Sequence, residues 1–184
     1  MQKLIKMKSK TGTVLLALVI MSSFGCKELE KLTQFTMSFN SKITIPSTSI
    51  VDLPVSVRTP AIPTNSEALF SQNETNAASI DEIQLQSMTL TIDNPANSTF
   101  NFFKSVEVFM DADGLSEVSL GSKTDVVDGL ISLDLTTTGA NIKEYILRNE
   151  FTIRVQTTTD ETINSDHEIN INTVFFVDAK ILGQ

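Results

Sequence analysis

The sequence predicts an all-β fold, a single antiparallel β-sandwich of about seven to nine strands with one or two short helices. Apolar and polar residues alternate with a period of two along most of the chain, turn-forming residues separate the alternating segments, and few segments have helical periodicity. A chain of 184 residues, 41% hydrophobic and 20% charged, is typical of one folded domain with an apolar core.

The best-patterned segments are predicted to be strands that bury one face. The residues expected to point inward are Phe35, Met37, Phe39, Ile43 and Ile45; Val106, Val108 and Met110; Val118 and Leu120; Ile131, Leu133 and Leu135; Phe151, Ile153 and Val155; and Ile169, Ile171, Thr173, Phe175 and Val177. The threonine triplets at 136–138 and 157–159 are expected to face solvent.

Three segments are expected to depart from a regular paired strand. Residues 50–57 contain Pro54, which has no backbone N–H to donate, so they are predicted to form an edge strand or a bent crossing. Residues 59–65 contain two prolines and are predicted to be a loop. In the segment from Ile83 to Ile92 the inward phase slips by one residue, which predicts a β-bulge near Gln86 and Ser87.

Two short helices are expected. The first covers residues 66–72, with Asn65 or Ser66 as its cap. The second covers about 142–148, because Asn141 begins a capping-box pattern and the apolar residues after it fall on one helical face.

The N-terminal segment has the features of a bacterial export signal. It carries Lys3, Lys6, Lys8 and Lys10, followed by an apolar run at 13–21. That run is shorter than the roughly 20 residues that a membrane-spanning helix needs. The predicted organisation is a signal peptide at residues 1–25, a tether at 26–33 and a β-sandwich domain at 34–184.

Cys26 is the one cysteine of the sequence, so a disulfide within the chain is excluded. Cleavage after Gly25 would place Cys26 at the new N terminus. The segment resembles the lipobox of bacterial lipoproteins, which has Gly or Ala before the cysteine, although Ser23 and Phe24 depart from the commonest residues. The resemblance implies attachment of lipid, such as palmitate, to Cys26 and a location at the outer membrane, facing the periplasm or the cell surface. A plain signal peptide or an inert cysteine is the alternative.

The residues after the cysteine bear on the destination. Lys27 differs from the Asp of enterobacterial inner-membrane retention signals. Lys27 and Glu28 resemble part of the surface-export signal of Bacteroidetes lipoproteins, from which Leu29 departs; a solvated tether of mixed charge is the alternative. The body resembles small β-sandwich lipoproteins of Bacteroidetes and, more faintly, the WHy-type sandwich of late-embryogenesis-abundant proteins; the stretches that carry this are 90–95, 102–108, 151–157 and 177–182. These resemblances imply the fold and bring no catalytic motif.

The sequence offers few candidates for chemistry. His167 lies in a polar run and could bind a metal or act as a base, but without a second histidine a charged surface turn is favoured. Asp111 and Asp113 could converge on calcium, yet Leu115 occupies the next ligand position, so a hairpin turn is favoured. We therefore predict no catalytic residue, cofactor or metal site, and expect that the protein is not an enzyme.

Removal of the signal would leave 10 of the 14 Lys and Arg against 22 Asp and Glu, a net charge of 10 − 22 = −12, which argues against nucleic acid as a partner. The favoured hypothesis is a lipid-anchored envelope protein that acts as a non-catalytic binding or structural module with a protein partner. The alternative is a glycan- or small-ligand-binding lipoprotein of an uptake system. The absence of Trp and the single Tyr count against sugar stacking.

Overall fold

The computed structural model describes residues 33–48, 51–52 and 54–180, so the predicted signal peptide, Cys26 and most of the predicted tether lie outside the described residues. The described residues contain the strands β1 (Gln34–Ile45), β2 (Pro54–Arg58), β3 (Ile62–Pro63), β4 (Ile80–Asn94), β5 (Phe103–Asp111), β6 (Val118–Thr124), β7 (Ser132–Asp134), β8 (Thr136–Thr137), β9 (Glu150–Thr159) and β10 (His167–Ala179), and the helices α1 (Ser66–Gln72) and α2 (Lys143–Ile146).

Two antiparallel sheets pack against each other. Sheet A has the strand order β1-β10-β4-β7, and sheet B has the order β2-β9-β5-β6-β8, with β3 also paired to β9. The predicted all-β sandwich is confirmed. Two of its ten described strands, β3 and β8, have only two residues each, and the eight longer strands agree with the expected number.

The core lies between the sheets because alternate side chains of the longer strands point there. Phe39 of β1 and Phe175 of β10 belong to sheet A, and Phe151 of β9 belongs to sheet B. The Phe151 ring lies 5.4 Å from that of Phe39 and 6.2 Å from that of Phe175, so this aromatic group joins the two layers.

The predicted strand phases are confirmed with few exceptions. Phe35, Ile92 and Val118 are only half-buried. The prediction for Ile131 is wrong, since this residue is 67% exposed in the loop before β7. The other residues expected to point inward are buried. The triplet at 136–138 lies at the surface, but Thr157 and Thr159 are buried, contrary to expectation. They continue the inward face of β9, and the Thr157 hydroxyl donates to the Ser105 carbonyl at 2.8 Å, which satisfies the buried group.

The β-bulge in β4 is confirmed. Val174 of β10 pairs with Ser87, whereas the next residue, Phe175, pairs with Leu85. Gln86 is therefore the extra residue, and both Gln86 and Ser87 are exposed. The bulge lets both halves of β4 bury their apolar residues on the same side of sheet A.

The proline-containing segments lie at the margin of sheet B. β2, which begins at Pro54, is an edge strand as predicted. The loop predicted for residues 59–65 is partly wrong, because Ile62–Pro63 forms β3 and pairs with Phe151 and Glu150. Burial of the Ile62 side chain favours this short pairing, and an edge position tolerates the missing N–H of proline.

Both predicted helices are present. α1 has the expected bounds and follows Asn65, whose φ of 47° is left-handed. α2 is shorter than expected and begins at Lys143; the Asn141 side chain accepts the backbone N–H of Lys143 at 3.0 Å. Within the part of the chain that the structure describes, no helix is long and apolar enough to cross a membrane.

The sandwich has two distinct ends. We call one the loop end, formed by the described residues of the connections 46–52, 95–102, 125–131 and 160–166. The other is the helix end, which holds α1, α2 and the turn at 112–117. β1 starts at the helix end, where the rings of Phe35 and Phe70 of α1 lie 6.3 Å apart.

Candidate functional site

A cluster of charged side chains lies on the outer face of sheet B, near the helix end. Arg154 of β9 stands in register with Arg58 of β2 and Phe109 of β5. Both arginines reach Glu117, in the turn that precedes β6. Arg154 donates from Nε to Oε1 at 2.7 Å and from Nη2 to Oε2 at 2.5 Å, and Arg58 donates to Oε1 at 3.2 Å.

The groups of this cluster satisfy one another. The Arg154 guanidinium lies 4.2 Å from the centroid of the Phe109 ring, and its Nη1 donates to Gln156 Oε1 at 2.8 Å. The hydrogen bond from Arg154 lowers the pKa of Glu117, and the same bond raises the pKa of Arg154. Because all three guanidinium nitrogens have protein partners, the cluster is suited to fixing β2, β9 and the 112–117 turn together.

The turn that suggested calcium borders a recess of about 320 Å³ lined partly by Asp111, Asp113 and Glu150. Asp111 accepts a hydrogen bond from Arg58 at 3.2 Å, so a cation there would compete with an arginine. In the ranges described, no three His, Cys, Asp or Glu side chains are grouped as metal ligands would be. The absence of a calcium site stays a prediction.

His167 is not in a surface turn, and that expectation was wrong. It is the first residue of β10 and is 8% exposed, because it shares the inward face of Ile169 and Ile171. Its Nδ1 lies 2.8 Å from the carbonyl oxygen of Ser165, and its ring centroid lies 4.5 Å from that of Phe102. The period of two, extended backwards from Ile169, was the signal that could have revealed this.

The outer face of sheet A carries a row of polar side chains across its four strands. Asn172 Nδ2 donates to Asn40 Oδ1 at 2.9 Å, and Thr89 Oγ1 donates to Asp134 Oδ1 at 2.6 Å. Asn172 and Thr89 are direct neighbours in the β10–β4 register. This polar row offers amide and hydroxyl groups on a shallow surface, which is chemistry that can bind a polar ligand.

The loop end has a different character. Across the described ranges, three large hydrophobic residues are exposed, namely Val51 at 40%, Val127 at 66% and Ile131 at 67%. All three belong to connections at the loop end. Sequence reasoning missed this surface, because it assigned Ile131 to the core and because apolar residues in loops have no periodic pattern that marks exposure.

The candidate residues are thus dispersed over the molecule. Cys26, the predicted lipid-attachment site, lies outside the described residues. His167 is at the loop end, whereas Asp111 and Asp113 are at the helix end, so the structure does not bring them together. Sequence alternation placed Arg154 on the solvent side of its strand, but its pairing with Glu117 depends on which strands are neighbours.

Neither a protein-family model nor a curated protein sequence matches the chain. Among solved structures, the crystal structure of FLHE is similar at 10% identity and a TM-score of 0.33, covering 79% of this chain and 98% of its own. The tomato aspermy virus structure aligns at 12% identity and a TM-score of 0.32, covering 93% and 96%. Desmodium yellow mottle tymovirus aligns at 11% identity and a TM-score of 0.27, covering 82% and 85%.

Proposed function

We propose that this chain is a lipid-anchored protein of the bacterial cell envelope, acting as a non-catalytic binding or structural module for a protein partner. The observation that carries the proposal is the N-terminal pattern of a basic segment, an apolar run at 13–21 and Gly25 before Cys26. β1 begins at Gln34, so a lipidated Cys26 would be joined to the sandwich by residues 27–33, which span at most about 25 Å.

A lipid on Cys26 would be sufficient to hold the protein at a membrane. Each buried CH₂ group contributes about 0.8 kcal/mol, and two acyl chains anchor stably where one does not. We place the protein at the outer membrane, facing the periplasm or the cell surface.

The hydrogen bonding of the charged side chains on sheet B supports a binding role over a catalytic one. The arginine donors and the Glu117 carboxylate on sheet B are engaged with each other, as bonded pairs that stabilise a scaffold usually are. The remaining surfaces, the polar row of sheet A and the loop end, are suited to contact rather than to acid–base chemistry.

Cys26→Ala tests the anchor. Wild type should incorporate a fatty-acid label and sediment with membranes, whereas Cys26→Ala should lose the label and appear in the soluble fraction. Lys27→Ala is the matched control and should keep the label, because it leaves Gly25 and Cys26 intact. Equal labelling of wild type and Cys26→Ala would exclude the anchor.

Protease treatment of intact cells then distinguishes the two orientations, since only a surface-exposed chain is digested without lysis.

A second candidate function is binding of a glycan or small polar ligand, as in an uptake system, and the polar row of sheet A favours it. Affinity electrophoresis in gels containing cell-wall or plant polysaccharides tests it. Retardation of wild type should be lost in Asn172→Ala and kept in Gln156→Ala, a matched change on the outer face of sheet B. Unchanged mobility of wild type in every gel would count against a glycan among those tested.

A further inference from the structure

The loop end carries an apolar patch, which we define as Val51, Val127 and Ile131. Val127 and Ile131 belong to one loop, and Val51 belongs to another connection at the same end of the sandwich. The N–H of Asp52 donates to the carbonyl of Thr159 at 2.7 Å, which places Val51 beside the end of β9. Large apolar side chains that stay exposed together at one end of a domain mark an interaction surface more often than isolated ones do.

The loop that presents Val127 and Ile131 is held in place. Val126 donates its N–H to the Lys104 carbonyl at 3.2 Å, and the Leu130 carbonyl accepts the N–H of Phe100 at 2.8 Å. The Gly129 N–H donates to the Asn101 side chain at 2.7 Å. A loop fixed at three points has little conformational entropy to lose on binding, which favours affinity.

The rim of the patch is acidic. Loops 125–131 and 160–166 together contain five carboxylates, Asp125, Asp128, Asp160, Glu161 and Asp166, and neither loop contains Lys or Arg. All five residues are exposed. The carbonyl of Lys104 accepts the N–H of Val126, but its ammonium group is 3.2 Å from Asp52 and is therefore already paired.

We propose that the loop end is the docking surface for a protein partner that presents an apolar centre surrounded by Lys and Arg. Apolar contact would supply affinity, and the opposite charges would supply orientation and a fast association rate. The docking surface deepens the proposed function and rests on it for the position of the anchor at Cys26. The tether enters β1 at the helix end, so an anchor at Cys26 attaches to the end opposite the patch.

Charge argues against two other occupants. A second copy of the chain would bring the same five carboxylates face to face, which is repulsive. An anionic lipid surface would repel them for the same reason, since such membranes attract basic rather than acidic segments. A basic protein surface is the occupant that complements both the apolar patch and its rim.

Site-specific photo-crosslinking in intact cells tests the proposal on the full-length chain. A photoreactive phenylalanine analogue replaces Val127 in one variant and Ile131 in a second. A third variant carries it at Ala68, an exposed apolar position of α1 at the helix end. We expect the first two variants to give an adduct with the same protein and the Ala68 variant to give none. Mass spectrometry of the adduct should locate the link in an apolar segment flanked by Lys or Arg.

Charge reversal makes the test specific. In the Val127 variant, Asp128→Lys with Asp160→Lys should lower the adduct yield by about tenfold. Glu67→Lys, an exposed change at the helix end, should leave the yield unchanged. Asp125 is kept because its φ of 51° is left-handed, where a lysine is disfavoured.

Several outcomes would overturn the docking surface: an equal adduct from Ala68, no adduct, an adduct of two copies of the chain, a link to lipid, or indifference to charge reversal. Labelling the same cells with a fatty acid separates this test from the anchor test. Label without a crosslink overturns the docking surface alone. A crosslink without label supports the docking surface and overturns the anchor.

Discussion

Truncation of Val108 to alanine tests the sandwich core at the centre of sheet B. Val108 is fully buried, and β5 places it in register with Val155 of β9 and Gly121 of β6. The change removes two buried methyl groups, and each contributes about 0.8 kcal/mol of hydrophobic stabilisation. The cavity that remains between two packed sheets adds to this, so we expect a loss of about 2–3 kcal/mol in the free energy of unfolding.

Urea denaturation of the chain from Lys27 to Gln184, followed by circular dichroism, measures this loss. With a slope of about 2 kcal/mol per molar urea, the midpoint should fall by about 1 M. The matched control is Glu107→Ala on the same strand. Glu107 is exposed on the outer face, and its loss should change the free energy of unfolding by less than about 0.5 kcal/mol. Equal losses for the two variants would refute the strand phase on which the fold rests.

Three further predictions concern other parts of the fold. Wild type should be more stable than Glu117→Gln at neutral pH, because the hydrogen bond from Arg154 lowers the pKa of Glu117 in the folded state. Below about pH 4.3 the Glu117 carboxyl of the unfolded chain takes up a proton before that of the folded chain does, so urea titrations should show this difference in stability shrinking. Gly121→Ala should lower the melting temperature, since its Cβ would lie 2.6 Å from the Thr136 carbonyl oxygen, a clash worth about 1–3 kcal/mol. Deletion of Gln86 should keep cooperative unfolding, because it removes the extra residue and leaves both halves of β4 in one period of two. Deletion of Thr89, which pairs with Asn172, should abolish cooperative unfolding by putting the residues after it out of phase.

The strands could be predicted because each buries one face, and a period of two records that burial directly in the sequence. The bulge at Gln86 was visible for the same reason, as a slip in the period. The exposed position of Ile131 was not visible, because an apolar residue at the margin of a strand has the same pattern whether the strand begins before or after it. Likewise Thr157 and Thr159 carry a hydroxyl that suggests exposure. The carbonyl that accepts the hydrogen bond of the buried Thr157 hydroxyl belongs to Ser105 of the neighbouring strand.

The surfaces were harder to predict than the core. The bond between Arg154 and Glu117 joins residues 37 positions apart, and their meeting depends on the β9-β5-β6 order, which no local pattern encodes. The polar row of sheet A depends in the same way on the order β1-β10-β4-β7. The apolar patch is formed by separate loops that only the closed sandwich brings to one end. Sequence periodicity reports which side of a strand is buried, and it carries little information about which strands are neighbours.

The position of β1 has a mechanical consequence. The chain enters β1 at the helix end; β1 has 12 residues, and β10 is its neighbour in the described sheet. If the chain is pulled at its N terminus and held at the loop end, the load runs along β1 while its hydrogen bonds to β10 lie across that direction. The bonds then share the load side by side instead of opening one after another. In this geometry the hydrogen bonds between β1 and β10 are loaded in shear. The junction between tether and domain would therefore withstand a larger pulling force than if the same bonds were opened one after another.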